Sequence, residues 1–464
     1  MAPKRPFSDL DWQLTPEPVK VYIEYLERCV LELQKIAQDH EARFERLEAR
    51  LGQNSRNSSR PPSSDSPFTK EKRKKPKSSR KKGGQKGHKG HRQQMLPADN
   101  TTLLYPEECS CGHQDLSGCD TQAFYTHQHI EIPEIPIDVT HITLHKCKCP
   151  GCGKTLKARL PRHLQTGYGP RLSAFVAELS GIEGMSRHDV SVFCQSVFGV
   201  PISTGAIQKI IDRASKALRP FYEHAGQLAR GADHNYIDET SWFNENRLQW
   251  LWTMVNERVA YYRIDPNRSK KAFERLIEDW RGILISDSYG LYCSWVDKRQ
   301  TCLAHLIRKA VAISEHKDRE IKYFGHMTTA MLKRLTHFAK APPSEKQWTE
   351  FYRQFLFSLG LYENDKNVAG RLARQILREL DCLWTFLDHK GIEPTNNRAE
   401  RALRFGVLWR KRSFGSQSGK GCRWVERILT FKETCRLNAQ ATYPAMVNLL
   451  RSLFAGAQPN LAWL

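Results

Sequence analysis

The chain has 464 residues, 40% of them hydrophobic, and carries 72 basic against 50 acidic side chains, a surplus of +22. That length holds roughly two to four domains with a sizeable core, and the surplus points to a polyanionic partner, either nucleic acid or an anionic surface. No run of about 18 apolar residues occurs and the N-terminus lacks a signal-peptide core, so no membrane partner is expected; the 13 cysteines are expected as thiols or metal ligands of a cytoplasmic, nucleoid-associated protein.

The first predicted element is a heptad helix. Val19, Ile23, Leu26, Val30, Leu33, Ala37, His40, Phe44, Leu47 and Leu51 alternate steps of four and three, and only His40 breaks the apolar seam. This predicts a coiled coil over 1–54 and a homodimer or higher homo-oligomer, with a helix packed on its own body as the other reading. Gly52 ends the helix, and residues 53–66 are too polar to fold alone. Lys70 to Arg92 then holds twelve Lys/Arg and one acid, half of the net charge. Residues 55–100 are therefore read as a disordered basic arm. Lys72, Arg73, Lys74, Lys75, Arg80, Lys81, Lys82, Lys86 and Lys89 are its candidate DNA-phosphate contacts.

Cysteines cluster in 101–160. Cys109 and Cys111 form one knuckle, Cys149 and Cys152 another, and the alternating apolar residues from His127 to Lys146 predict a hairpin or small sheet between them. Four thiolates suit a closed structural Zn²⁺ site. The first knuckle is one residue short, so Cys119, His113 and Cys147 compete for places in it. Residues 161–232 are helical, and Ser203 or Thr204 should cap a helix carrying Ile207, Ile210, Ile211 and Ala214. Helix, Gly-containing turn, helix fits a helix-turn-helix or a plain packed pair.

Tyr236 to Phe243 reads as a strand with two acids, Asp238 and Glu239, that must face opposite ways. Strands at 248–255 and 258–264, a helix at 270–280 and a short apolar strand ending in Asp287 follow. Three strands, a helix and a strand begin a ribonuclease-H-like fold, whose first and fourth strands are neighbours; Asp238 and Asp287 would then be adjacent. Gln300–Leu306 should be a fifth strand running into a helix. Residues 306–389 read as a helical insertion between the two parts of this domain, 233–305 and 390–415. After it, Thr395 or Asn396 should cap a helix that carries Glu400 one turn in, with Arg398, Arg401, Arg404, Arg410 and Lys411 as further candidate DNA contacts. Residues 416–464 should form C-terminal helices, broken at Pro444.

In order, these blocks resemble the large transposase of insertion-sequence family 66, a bacterial DDE transposase. The resemblance rests on Asn54–Asp65, Gly83–Gly90, the cysteine knuckles, Asp238-Glu239-Thr240, Ser286-Asp287, Cys302-x-x-His305 and Asn396–Arg401. It implies a multidomain α+β protein: coiled coil, small β-rich zinc domain, helical DNA-binding segment, and a ribonuclease-H-like catalytic domain with a helical insertion. It implies that Asp238, Asp287 and Glu400 are catalytic acids, that Cys302 and His305 are structural beside them, that terminal inverted repeats and target DNA are partners, and that accessory proteins of the same element assist. Three hard oxygen ligands suit Mg²⁺ or Mn²⁺ for two-metal phosphoryl transfer. The competing expectations are a non-catalytic zinc-containing DNA-binding regulator and a ribonuclease-H-like nuclease that cuts without joining.

Overall fold

The computed structural model describes residues 8–51, 53–54, 57–58, 93–112, 114–295 and 298–464. Most of the basic arm, Lys72 to Lys89 included, and His113 lie outside the described residues. The heptad segment is one continuous helix. After α1 (Asp9–Leu14), α2 runs from Glu17 to Leu51, and Val30, Leu33 and Phe44 on it lie exposed.

Between 93 and 160 little regular structure forms. The only strands among the described residues of this stretch are β1 (Lys146–Lys148) and β2 (Thr155–Lys157), an antiparallel hairpin around Cys149–Cys152. The sheet expected from His127 to Lys146 is absent, and Ile132 and Val139 stand exposed. Pro133 and Pro136 explain part of this: each removes a ladder donor, and no apolar layer lies beneath the run to reward pairing.

Helices α3 (Pro170–Ala177), α4 (Arg187–Phe198), α5 (Thr204–Ala217) and α6 (Arg219–Arg230) follow. Ser203 caps α5, accepting from Ala206 N–H. Ile207, Ile210, Ile211 and Ala214 are buried, in a core shared with one face of the sheet and with the C-terminal helices. Residues 161–232 and 416–464 are separate segments in sequence but one body in space.

The sheet has five strands: β3 (His234–Asn244), β4 (Arg247–Val255), β5 (Ala260–Asp265), β6 (Ile283–Ser286) and β7 (Arg299–Thr301). Their order is β5-β4-β3-β6-β7. The first three are antiparallel, and β6 and β7 run parallel to β3. Helix α7 (Lys270–Ile277) links β5 to β6, and the short α8 (Gly290–Cys293) follows β6. Because side chains alternate along β3, Ile237 joins the core with α6 and α7, while Tyr236 and Trp242 face the other layer.

That other layer is built from the insertion and the helix after it. The insertion comprises α9 (Leu303–Ser314), α10 (Arg319–His337), α11 (Glu345–Gly360), α12 (Val368–Arg378) and α13 (Thr385–Asp388). Leu303, Leu306 and Ala310 of α9 pack with Tyr236 and Ile285 of the sheet. Helix α14 (Asn397–Ser413) lies over β3 and β4, and Gly406 sets its distance: a Cβ there would fall 2.7 Å from Leu251 Cδ2.

Helices α15 (Gly419–Leu437) and α16 (Thr442–Ala455) close the fold. The break between them falls before Thr442, and Pro444 sits in the first turn of α16, where its missing N–H costs no helical bond. Helix α15 seals the sheet edge. Three amides of β5 donate to its side chains: Ala260 to Thr434 (3.1 Å), Tyr262 to Thr430 (3.2 Å) and Ile264 to Glu426 (2.7 Å). Four helical residues rise about 6 Å and two strand residues about 6.6 Å, so a stripe at every fourth position matches every second amide. A helix thus occupies the place of a sixth strand and leaves no open edge there.

Thr430→Val keeps the shape but leaves the Tyr262 N–H without a partner. It is expected to cost about 1–3 kcal/mol in denaturant unfolding. Burial also pushes the Glu426 carboxyl up to about 7, against the opposing charge of Arg423. Its folded value lies above the unfolded one, so the native state holds the extra proton and stability falls as pH rises between about 4.3 and about 7. Glu426→Gln keeps the acceptor and removes the titration. Its stability relative to wild type should rise by about 1–3 kcal/mol from about pH 5 to about pH 8 in melting experiments.

Candidate active site

Asp238 lies mid-strand in β3, with the parity of Tyr236, and so faces the layer of α9 and α14. In the β3–β6 pairing Tyr236 stands opposite Ile285; carried two residues on, the register sets Asp238 level with Asp287. Asp287 has the parity of Ile285 and faces the same layer. Glu400 enters from above, in the first turn of α14, where the helix dipole favours a negative charge. The structure therefore brings all three expected acids to one face.

Electrostatics tie Asp238 to the other two acids. The Asp238 carboxyl is held well above the usual carboxylate range, first by burial and then by the negative charges of Glu239, Asp287 and Glu400. Asp287 is also raised by burial, opposed by the Tyr289 N–H and by the cations Arg268, Lys309 and Arg299. Like charges gathered out of water are costly, and a divalent cation among them reverses the cost. Oxygen-only ligands fit Mg²⁺ or Mn²⁺.

Each acid is held by specific neighbours. Tyr289 N–H donates to Asp287 Oδ1 (3.0 Å), and Arg299 donates to the Asp287 carbonyl (3.3 Å). Asn396 starts α14 without a side-chain cap; its Nδ2 instead donates to the Ile237 carbonyl (2.9 Å), tying the helix start to the strand beside Asp238. Arg308 Nη2 donates to Glu400 Oε1 (2.9 Å), and His305 Nδ1 lies 3.6 Å from the same oxygen. Glu239 looks the other way. It accepts from Arg268 Nε (2.6 Å) and from the Tyr292 hydroxyl, while the Arg268 guanidinium stacks 3.8 Å over Tyr289. Arg268 thus clasps the back of β3 to the loop that carries Asp287.

A second ligand set sits alongside. Cys302, His305 and Glu400 place ligand atoms within 4.8 Å of one another. Cys302 Sγ accepts from Asn396 N–H (3.0 Å), and burial pushes its thiol up to about 11. Burial, with Arg308 and Lys309 nearby, lowers His305 to about 4, so its ring is neutral. A protonated thiol and an Arg-paired carboxylate suit a brace for Glu400 better than a ligand set for a hard cation.

The candidate zinc residues meet only in pairs. In the first knuckle, Cys109 is lowered chiefly by the backbone N–H of Cys111; in the second, Cys149 is lowered chiefly by that of Cys152. Among the described residues no three of these cysteines share a ligand cluster.

The basic residues of α14 divide. Arg401, Arg404 and Lys411 are exposed along one stripe. Arg398 is engaged internally, paired with Glu393 (3.0 Å) and stacked over Tyr236. Arg410, expected on DNA, is half-buried and donates to Thr240 Oγ1 (3.2 Å) and to Ser241, pinning α14 to β3. Sequence reasoning missed Arg268 and Arg308. Arg308 had a signal, one turn beyond His305 on the same helix face; Arg268 had none.

Comparison with known proteins identifies the family. The family model described as Transposase IS66 family matches residues 165–423, more than half of the chain. Another, described as a family of unknown function (DUF6444), matches residues 14–94. A curated relative, "Uncharacterized protein y4qI" of Sinorhizobium fredii (strain NBRC 101917 / NGR234), is 22% identical over 329 residues, 61% of this chain and 59% of its own length. The chain therefore spans less than two thirds of that relative. No helix among the described residues is long and apolar enough to cross a membrane.

The acid cluster makes a direct prediction. In EDTA at neutral pH, Asp238→Asn should raise stability by about 0.5–2 kcal/mol by relieving repulsion. Added Mn²⁺ should raise the wild-type melting temperature and move the variant less. A variant less stable than wild type in EDTA would mean that the carboxylates do not repel as described.

Proposed function

This chain belongs to the IS66 family of transposases, and we propose that it cuts the ends of an insertion sequence and joins them to target DNA, with Asp238, Asp287 and Glu400 as its catalytic acids. The observation that carries the reading is their placement on one face: one from β3, one from the loop just past the adjacent parallel strand β6, one from the first turn of the helix packed over them. The strand order fits a ribonuclease-H-like catalytic domain. Mg²⁺ or Mn²⁺ held there would activate a nucleophilic oxygen and stabilise the leaving oxygen of an in-line displacement.

The chain's residues do the rest. Asp238, fixed mid-strand, orients the shared side of the site. Asp287 is aimed by the Tyr289 N–H, and Glu400 by Arg308. The exposed stripe of Arg401, Arg404 and Lys411 runs beside Glu400 and suits phosphate-backbone contact, which positions DNA without reading its sequence. Water is the first nucleophile and the freed 3′-hydroxyl the second, so no enzyme–DNA bond is required. The basic arm adds salt-dependent affinity. The α2 seam pairs two copies of the chain, which suits holding two element ends at once. Cys109, Cys111, Cys149 and Cys152 are proposed to take a structural Zn²⁺, which would supply the core that residues 101–160 lack.

The test is cleavage and strand transfer on DNA carrying the ends of the encoding element, with Mg²⁺ or Mn²⁺. Wild type should cut and join; Asp238→Ala should bind the same DNA with unchanged affinity and do neither, a loss of at least about 10³-fold. Cutting without joining supports the nuclease reading. Metal-dependent cutting by Asp238→Ala would remove the acid assignment.

A further inference from the structure

Within the segment matching a family of unknown function, residues 14–94, a short stretch around Asn57 touches the helical insertion. Between α2 and the basic arm, Asn54, Asn57 and Ser58 make a closed polar turn. Asn54 N–H donates to Asn57 Oδ1 (2.7 Å), Asn57 N–H returns to the Asn54 carbonyl (3.3 Å), and Ser58 Oγ donates to the same carbonyl (2.6 Å). Composition predicts a solvated linker here, yet Asn57 is only 9% exposed.

What covers it is the helical insertion. Asn57 Nδ2 donates to Glu315 Oε2, at the C-terminal end of α9 (2.9 Å). Gln53, Asn57 and Ser58 form one wall of a pocket of about 380 Å³, and Lys309 and Ile313 of α9 with Arg371 of α12 form the facing wall. Asn57 therefore uses both ends of its amide: the oxygen closes its own turn, and the nitrogen reaches a carboxylate on another element. Asp would keep the first bond and set a negative charge against Glu315; Ala would lose both.

We propose that the Asn54–Asn57–Ser58 turn is an intramolecular latch that seats the N-terminal segment on α9 and α12. It fixes the point at which the C-terminal side of α2 meets the body. Helix α9 is the element whose Arg308 holds Glu400. Seven residues separate Arg308 from Glu315, about 10 Å of helix. The latch thus sits about two helical turns along α9 from Arg308, the partner of Glu400. On the transposase reading, DNA gathered by the arm is delivered along α9; the latch itself does not depend on that reading.

The test is hydrogen exchange followed by mass spectrometry on the full chain, reading peptides that contain residues 53–58 and 309–315. Asn57→Asp should speed exchange of the 53–58 amides about tenfold or more, since a hydrogen bond to a charged group is lost and repulsion replaces it. Adding Glu315→Gln puts a donor opposite the new carboxylate, and the double variant should return to within about threefold of wild type, with 309–315 following the same order. Both variants leave the acids untouched, so the result stands whether or not the chain cleaves DNA. Wild-type amides at 53–58 exchanging at the rate of an unprotected chain would overturn the latch. So would a double variant no slower than Asn57→Asp alone.

Discussion

Burial of the Asp238 and Asp287 carboxyls, with like charges gathered around Asp238, is the constraint around which this structure is arranged. Asp238, Asp287 and Glu400 face one layer, and Glu239 adds its charge from the other face of the same strand. Left to themselves these groups would turn to solvent or take up protons. They stay because each is attached to an element that cannot move independently. Asp238 is in the central strand, Asp287 in a loop pinned at its amide and its carbonyl, and Glu400 on a helix tied down at both ends by Asn396 and Arg410.

The scaffold has the corresponding rigidity. Arg268 locks the back of β3 to the Asp287 loop through one ion pair and one stacked ring. Arg308 braces Glu400 from α9, and α9 shares a core with the sheet through Leu303, Leu306, Tyr236 and Ile285. At the far edge, α15 satisfies the amides of β5 with Glu426, Thr430 and Thr434, so the sheet ends in a helix rather than in open donors. The cations around the acids offset some of their charge without contacting Asp238.

Much of this was legible in the chain. A strand with acids among aromatic and β-branched residues marked Asp238, and two strand-like runs followed by a short apolar one marked β4 to β6 well enough to place Asp287 beside it. A helix start after a turn marked Glu400. What failed did so for local reasons. Residues 127–146 alternate like strands, but two prolines and the absence of a covering layer leave them extended and exposed. The polar stripe of α15 has the spacing of a solvent face and is instead buried on β5. Arg410 looked like one more DNA contact because charge alone does not tell which face of α14 meets the sheet. Asn57, in a polar linker, is buried by a surface more than 250 positions later in the chain.

The central claim is that Asp238, Asp287 and Glu400 together form a site for hard divalent cations. Anomalous diffraction from crystals of the full chain soaked in Mn²⁺ tests it most directly. The account predicts metal peaks between Asp238 and Asp287 and between Asp238 and Glu400. A peak held only by Cys302, His305 and Glu400, with none at Asp238, would contradict it.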